Sequence, residues 1–217
     1  MHTDARLWQL ISPTLPIGSF SYSQGLEWVV DAGWVSDETT ATEWIGDGLT
    51  HLLVPVDLAL LCRLYQSRHA GRDCDFNHWN SLLIAMRGTE ESRNEERTIG
   101  AALARLLGHL NLGLPVTNDL SYVGAFAAAA VAWGIELRQA CAGYAWAWCE
   151  NQVAAAIKLV PLGHSDGQCI LSGLVPEIDG AVARALTLEN EEIGFSTPGL
   201  EIARSLHETQ YSRLFRS

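Results

Sequence analysis

The short pattern in this chain that most suggests chemistry is Gly163-His164-Ser165-Asp166-Gly167. It fits G-x-S-x-G, in which a serine on a sharp strand-to-helix turn becomes a nucleophile. Asp179 and His207 follow in the order Ser, Asp, His that such hydrolases use. A serine hydrolase acting through Ser165 is therefore the enzymatic reading of the sequence. The context argues against it. Ala154-Ala155-Ala156-Ile157-Lys158 reads as helix and Pro161 follows, so the strand is missing. Gly-Ser-Asp-Gly after a helix is ordinary loop chemistry, with Ser165 or Asp166 capping the next helix. There is no G-x-x-x-x-G-K-[ST] to cradle phosphates and no G-x-G-x-x-G after a strand. His2, His51, His69, His78, His109, His164 and His207 are scattered, with no pair at i, i+3 or i, i+4, so the local pair usual in zinc and nickel sites is lacking. We expect no catalytic residue, no cofactor and no resident metal.

Three features point to binding instead. Ser12-Pro13-Thr14-Leu15-Pro16-Ile17-Gly18-Ser19-Phe20-Ser21-Tyr22-Ser23-Gln24-Gly25-Leu26-Glu27 holds two prolines and two glycines that enforce a non-helical path, and Leu15, Ile17 and Phe20 pin it down. It is either a packed loop leading into a helix near Ser21 or a surface shaped for a partner. Lys158, the one lysine among 14 basic residues, ends an apolar helix. It is either a partner for the helix dipole, with a snorkelling stem, or a fixed cation offered to a partner's charge. The final segment, residues 207–217, carries Tyr211, Arg213, Leu214, Phe215 and Arg216. Disordered ends avoid aromatics, whereas interface cores enrich Tyr, Phe and Arg. We expect this segment to dock into another protein and become ordered there, so that removing residues 211–217 abolishes a complex without lowering the melting temperature.

These residues need a body to present them. At 217 residues the chain is long enough for one domain with a full core, and it is 48% apolar and 18% charged. Its net charge of −11 disfavours nucleic acid and favours basic partners. Cys62, Cys74, Cys141, Cys149 and Cys169 form no C-x-x-C and read as free, buried thiols of a reducing compartment. The N-terminus lacks a secretory pattern, and the uncharged run over residues 120–135 is too short for a bilayer and is broken by glycines. A cytoplasmic location with no membrane contact follows.

Helical periodicity dominates. Ser36-Asp37-Glu38-Thr39 is a cap-like entry to a helix that Pro55 interrupts, with a new one starting there. Helices follow over residues 78–86 and 90–110, and a small-residue stretch over 122–131 allows close packing. Leu137, Cys141, Tyr144 and Trp148 form one stripe of a central helix, and two shorter helices over 178–188 and 198–206 end the chain. The expectation is all-α: a single compact multi-helix domain over 1–217, of about eight to ten helices. Residues 1–20 form an ordered N-terminal segment and 207–217 the docking tail.

The motifs resemble a known family. Leu15-Pro16-Ile17-Gly18-Ser19-Phe20-Ser21-Tyr22-Ser23-Gln24-Gly25-Leu26-Glu27 with Ala32-Gly33-Trp34-Val35 is similar to the N-terminal signature of the urease accessory protein UreF family. Arg93-Asn94-Glu95-Glu96-Arg97, Lys158-Leu159-Val160-Pro161-Leu162-Gly163 and the closing His207-Glu208-Thr209-Gln210-Tyr211-Ser212-Arg213-Leu214-Phe215-Arg216-Ser217 resemble it too. His164 stands where the family pattern has Gln. The resemblance implies an all-helical homodimer that joins UreD (UreH), recruits the GTPase UreG and helps deliver nickel to apo-urease in a GTP-dependent step. It implies that the C-terminal segment, with His207, Glu208, Tyr211, Arg213, Leu214, Phe215 and Arg216, binds UreD. It also implies that Glu27 and Lys158 couple to the GTPase.

Overall fold

The computed structural model describes residues 2–114, 119–194 and 197–217, which among them form helices and loops and no strand. In chain order the α-helices are α1 (His2–Leu10), α2 (Leu26–Asp31), α3 (Glu38–Gly48), α4 (Ala59–His69), α5 (Asp73–Met86), α6 (Glu90–His109), α7 (Tyr122–Ala132), α8 (Leu137–Leu159), α9 (His164–Ala185) and α10 (Pro198–His207). Side chains start several of them. Asp37 accepts from the Thr40 amide at 2.8 Å while the Thr40 hydroxyl accepts from the Asp37 amide at 3.1 Å, a capping box that opens α3. Bonding from Thr40 also holds the Asp37 carboxyl below its ordinary value. Thr89 caps α6 and Ser121 caps α7 by accepting from the Ser92 and Gly124 amides.

The core is one cluster in which α4 lies against α5 and α7, α6 covers α7, and α8 packs along α9. The alanine-rich α7 is buried throughout residues 123–130. Its neighbours come close because glycines face it: a Cβ at Gly100 of α6 would lie 2.2 Å from the Leu120 carbonyl oxygen. Gly48 plays the same part for α8, since a Cβ there would lie 2.8 Å from the Trp148 ring.

Three helical boundaries in this part of the fold differ from expectation. Pro55 does not end a helix. Residues Leu49–Leu58 widen into a π-helical stretch that joins α3 to α4, giving one continuous helix, Glu38–His69. Proline clashes with the carbonyl four residues back in an α-helix, and the wider turn relieves that clash. The Pro55 carbonyl accepts from the Gly194 amide at 3.1 Å. This helix is long and apolar enough to cross a bilayer, but 72% of its apolar window is buried inside the protein, where it forms the core. Likewise, α9 runs unbroken from His164 rather than starting at residue 178, with Pro176 inside it. Pro176 and Ser172, whose carbonyl loses its partner, both face solvent, so water can satisfy the vacant acceptor. Helix α5 begins at Asp73, earlier than apolar spacing indicates, with Asp73 and Asp75 favouring the first turn of the dipole.

The five cysteines are free, but only Cys62, Cys141 and Cys149 are buried. Burial pushes the Cys149 thiol up to about 12, which leaves it inert at neutral pH.

Candidate functional site

The C-terminal segment lies on its own chain. Glu27, in the first turn of α2, is 7% exposed. Its carboxylate accepts from the backbone amides of Leu214 at 2.5 Å and Phe215 at 2.9 Å. The His207 ring, fully buried at the end of α10, sits between two carboxylates, with Nε2 at 3.2 Å from Glu27 and Nδ1 at 2.9 Å from Glu91. Arg213 closes on the other Glu91 oxygen. The Glu208 carboxylate accepts from the Glu91 amide at 3.0 Å, at the open start of α6. Phe215, 6% exposed, packs into the core, and the Lys158 ammonium stands 5.5 Å from its ring centroid, a cation–π distance. The Arg216 amide donates to the Ser21 carbonyl at 2.8 Å. The Ser217 carbonyl accepts from the amides of Ser23 and Gln24 and from the Ser23 hydroxyl at 2.7 Å.

This seating corrects the expectation that the segment gains its order only on a partner. Its backbone and Phe215 belong to the body of the protein. What it turns outward is Tyr211, fully exposed, and Leu214, 66% exposed, together with Ile202 and Leu206 of α10. The positions expected to matter thus divide: Glu27, His207, Glu208, Arg213 and Phe215 are latch, Tyr211, Leu214 and the Arg216 side chain face outward, and Lys158 is exposed with its ammonium over the Phe215 ring.

The N-terminal loop is packed: Ile17 and Tyr22 are buried, a 3-10 turn spans Ser19–Ser21, and α2 starts only at Leu26, not near Ser21. Gln24 adopts φ 57°, in the left-handed region, where it donates from Nε2 to Glu95 at 2.7 Å and accepts from the Trp148 indole at 2.7 Å. The adjacent Gly25 (φ 89°) lets α10 approach, since a Cβ there would meet the Arg204 amide nitrogen at 3.2 Å.

Beneath this loop is a buried ionic group that sequence reasoning missed. Arg87, between α5 and α6, donates to both oxygens of Asp57 at 2.6 and 3.0 Å and to Glu96 at 2.7 Å. The Tyr144 hydroxyl adds a bond to Asp57 at 3.1 Å, and Glu96 accepts from the Val123 amide at the start of α7. Burial alone would push Arg87 down, but Asp57 and Glu96 reverse this and hold it well above its ordinary value. Beside it, burial raises the Glu95 carboxyl despite hydrogen bonds from Gln24 and Ser217. No spacing along the chain announces this group. The one available signal is that its charged residues interrupt otherwise buried helix faces.

No hydrolase site forms. Ser165 lies in the first turn of α9, after a helix and a short loop, with the Asp166 carboxylate accepting from the Gly163 amide at 2.7 Å. Asp179 is fourteen residues further along the same helix, about 21 Å away at 1.5 Å per residue. The His207 ring nitrogens are held by Glu27 and Glu91. Among the described residues no group of three His, Cys, Asp or Glu side chains is placed to hold a metal ion.

The sequence model of the UreF family matches residues 35–175. A protein of Alkalilimnicola ehrlichii named urease accessory protein UreF is 48% identical over 216 residues, covering 98% of this chain and 95% of its own length. The chain belongs to the UreF family. UreF proteins of Marinomonas sp. (43% identical, 98% of this chain, 93% of theirs) and Pseudomonas putida W619 (45%, 98% and 96%) agree. The family model stops short of both ends, while these UreF relatives match 98% of the chain.

Proposed function

We propose that this chain is a non-catalytic scaffold of urease maturation. It dimerises, joins UreD (UreH), recruits the GTPase UreG, and in that assembly supports GTP-dependent transfer of nickel into apo-urease, in the cytoplasm. Nickel is cargo here and not a resident cofactor. Relatives over the full length are named urease accessory proteins, and that name is the coarse ground of the reading.

One structural observation carries the finer part. The latch formed by Glu27, His207, Glu91 and Arg213 fixes the backbone after α10 while Tyr211 and Leu214 point outward. A partner that meets a backbone already fixed in place loses less entropy on binding than one that must order a loose tail. Exposed Tyr and Leu flanked by Arg213 and Arg216 have the composition of an interface centre. This is the surface we assign to UreD. Lys158, exposed beside Phe215, is a fixed cation close to that surface and suits a role in coupling to UreG.

The test is co-expression of the tagged chain with UreD, UreG and apo-urease. The reading expects UreD and UreG to co-purify with it and urease activity to depend on its presence. A chain that elutes alone, or urease fully activated without it, would refute the reading.

A further inference from the structure

Under the loop of residues 11–20 lies a cavity of about 120 Å³ that nothing in the scaffold role uses. Its inner wall is the Asp57–Arg87–Glu96 group with Glu95, and its outer end is lined by exposed Phe20 and partly exposed Glu150 of α8. Between them the wall is mostly apolar, with Ile17 and the Trp148 ring.

The polar groups of the wall differ in what they have left to give. The Asp57 oxygens accept from Arg87 and Tyr144, those of Glu96 from Arg87 and Val123, and those of Glu95 from Gln24 and Ser217. Glu150 alone of the four carboxylates has no hydrogen bond or ion pair among the described residues. Burial raises its carboxyl, and no neighbouring cation offsets that. Four carboxylates line the cavity against the Arg87 guanidinium, with the buried Arg204 beyond Glu95, so acidic groups outnumber basic ones and anions are disfavoured. A bare divalent ion needs several convergent anionic oxygens, and Glu150 is the one lining carboxylate not already engaged by a hydrogen bond or ion pair among the described residues. A mostly apolar chamber with one unpartnered carboxylate suits a cation that carries its own apolar stem.

We propose that this cavity binds a small organic cation, an aliphatic ammonium or guanidinium whose head pairs with Glu150 and whose stem lies between Ile17 and Trp148. A cavity of about 150 Å³ accommodates benzene, so this one suits a ligand of about five non-hydrogen atoms.

The probe is n-butylammonium chloride, with n-butanol in sodium chloride as its neutral counterpart. Thermal unfolding of the full chain in about 50 mM of each reads out binding. The expected result is a melting temperature raised by about 3 °C by n-butylammonium and not by n-butanol. Glu150→Gln, at a partly exposed helix position, should keep its own melting temperature and weaken the binding about tenfold. Ala147→Met, which fills the chamber, should abolish the effect by a second route. No rise with n-butylammonium, an equal rise with n-butanol, or a rise undiminished in Glu150→Gln would overturn the proposal.

Discussion

Arg87 neutralises two carboxylates that have no other cation in contact with them among the described residues, so its loss should be felt as more than a lost contact. Arg87→Met leaves Asp57 and Glu96 buried and unpaired, and breaking such a group by removing one partner costs about 3–5 kcal/mol. Urea unfolding of the variant should show that loss, and a change below about 1 kcal/mol would contradict it. Glu95 behaves oppositely. Because burial raises its folded-state value above that of the unfolded chain, the folded state binds more protons. Its contribution is therefore fully present below the ordinary glutamate range and is lost as pH rises through the folded value. Glu95→Gln, which keeps a hydrogen-bonding side chain without the charge, should be more stable than the natural protein at pH 7, with the gap closing near pH 4. Unfolding midpoints across that range measure it, and a gap that widens on acidification would give the wrong sign. None of this was legible beforehand. Asp57, Arg87 and Glu96 lie 30 and 9 residues apart, so only the fold brings them together.

At the scale of elements, the helices with strong local signals were the readable ones. Helix α6 has a Thr cap, acidic residues in its first turn and one apolar face, all pointing to the same start and stop. Pro55 misled because a local rule makes proline a terminator, and the same rule would speak against the Pro176 inside α9. The fold instead keeps both inside helices, one by widening the turn and one by facing the gap to water. Small residues over 122–131 did announce close packing, and a substitution tests how close. Gly100→Ala places a methyl against the backbone ahead of α7, which cannot move aside as a side chain could, and should cost about 3 kcal/mol. Gly173→Ala on α9 meets nothing and should stabilise by up to about 1 kcal/mol. Denaturation midpoints that move the same way in both variants would contradict this account of the α6–α7 joint.

For the whole molecule, the ends explain each other. The residues that resemble the family's N-terminal signature form the seat: Ser21, Ser23, Gln24 and Glu27 bind the backbone of residues 214–217. The sequence pointed to a C-terminal segment that becomes ordered on a partner. It did not show that its own chain orders it, because hydrogen bonds spanning about 190 residues leave no local pattern. The consequence reverses one expectation. Removing residues 211–217 takes Phe215 from the core and strands Glu27, so it should lower the melting temperature as well as disrupt the complex, and deletion alone cannot separate the two effects. The exposed side chains can. In the double variant Tyr211→Asp, Leu214→Asp the latch partners are untouched. The decisive measurement is co-purification of this variant with UreD, alongside its melting temperature. The account predicts a melting temperature within about 2 °C of the natural protein and loss of UreD. A variant that still brings down UreD in full would contradict it.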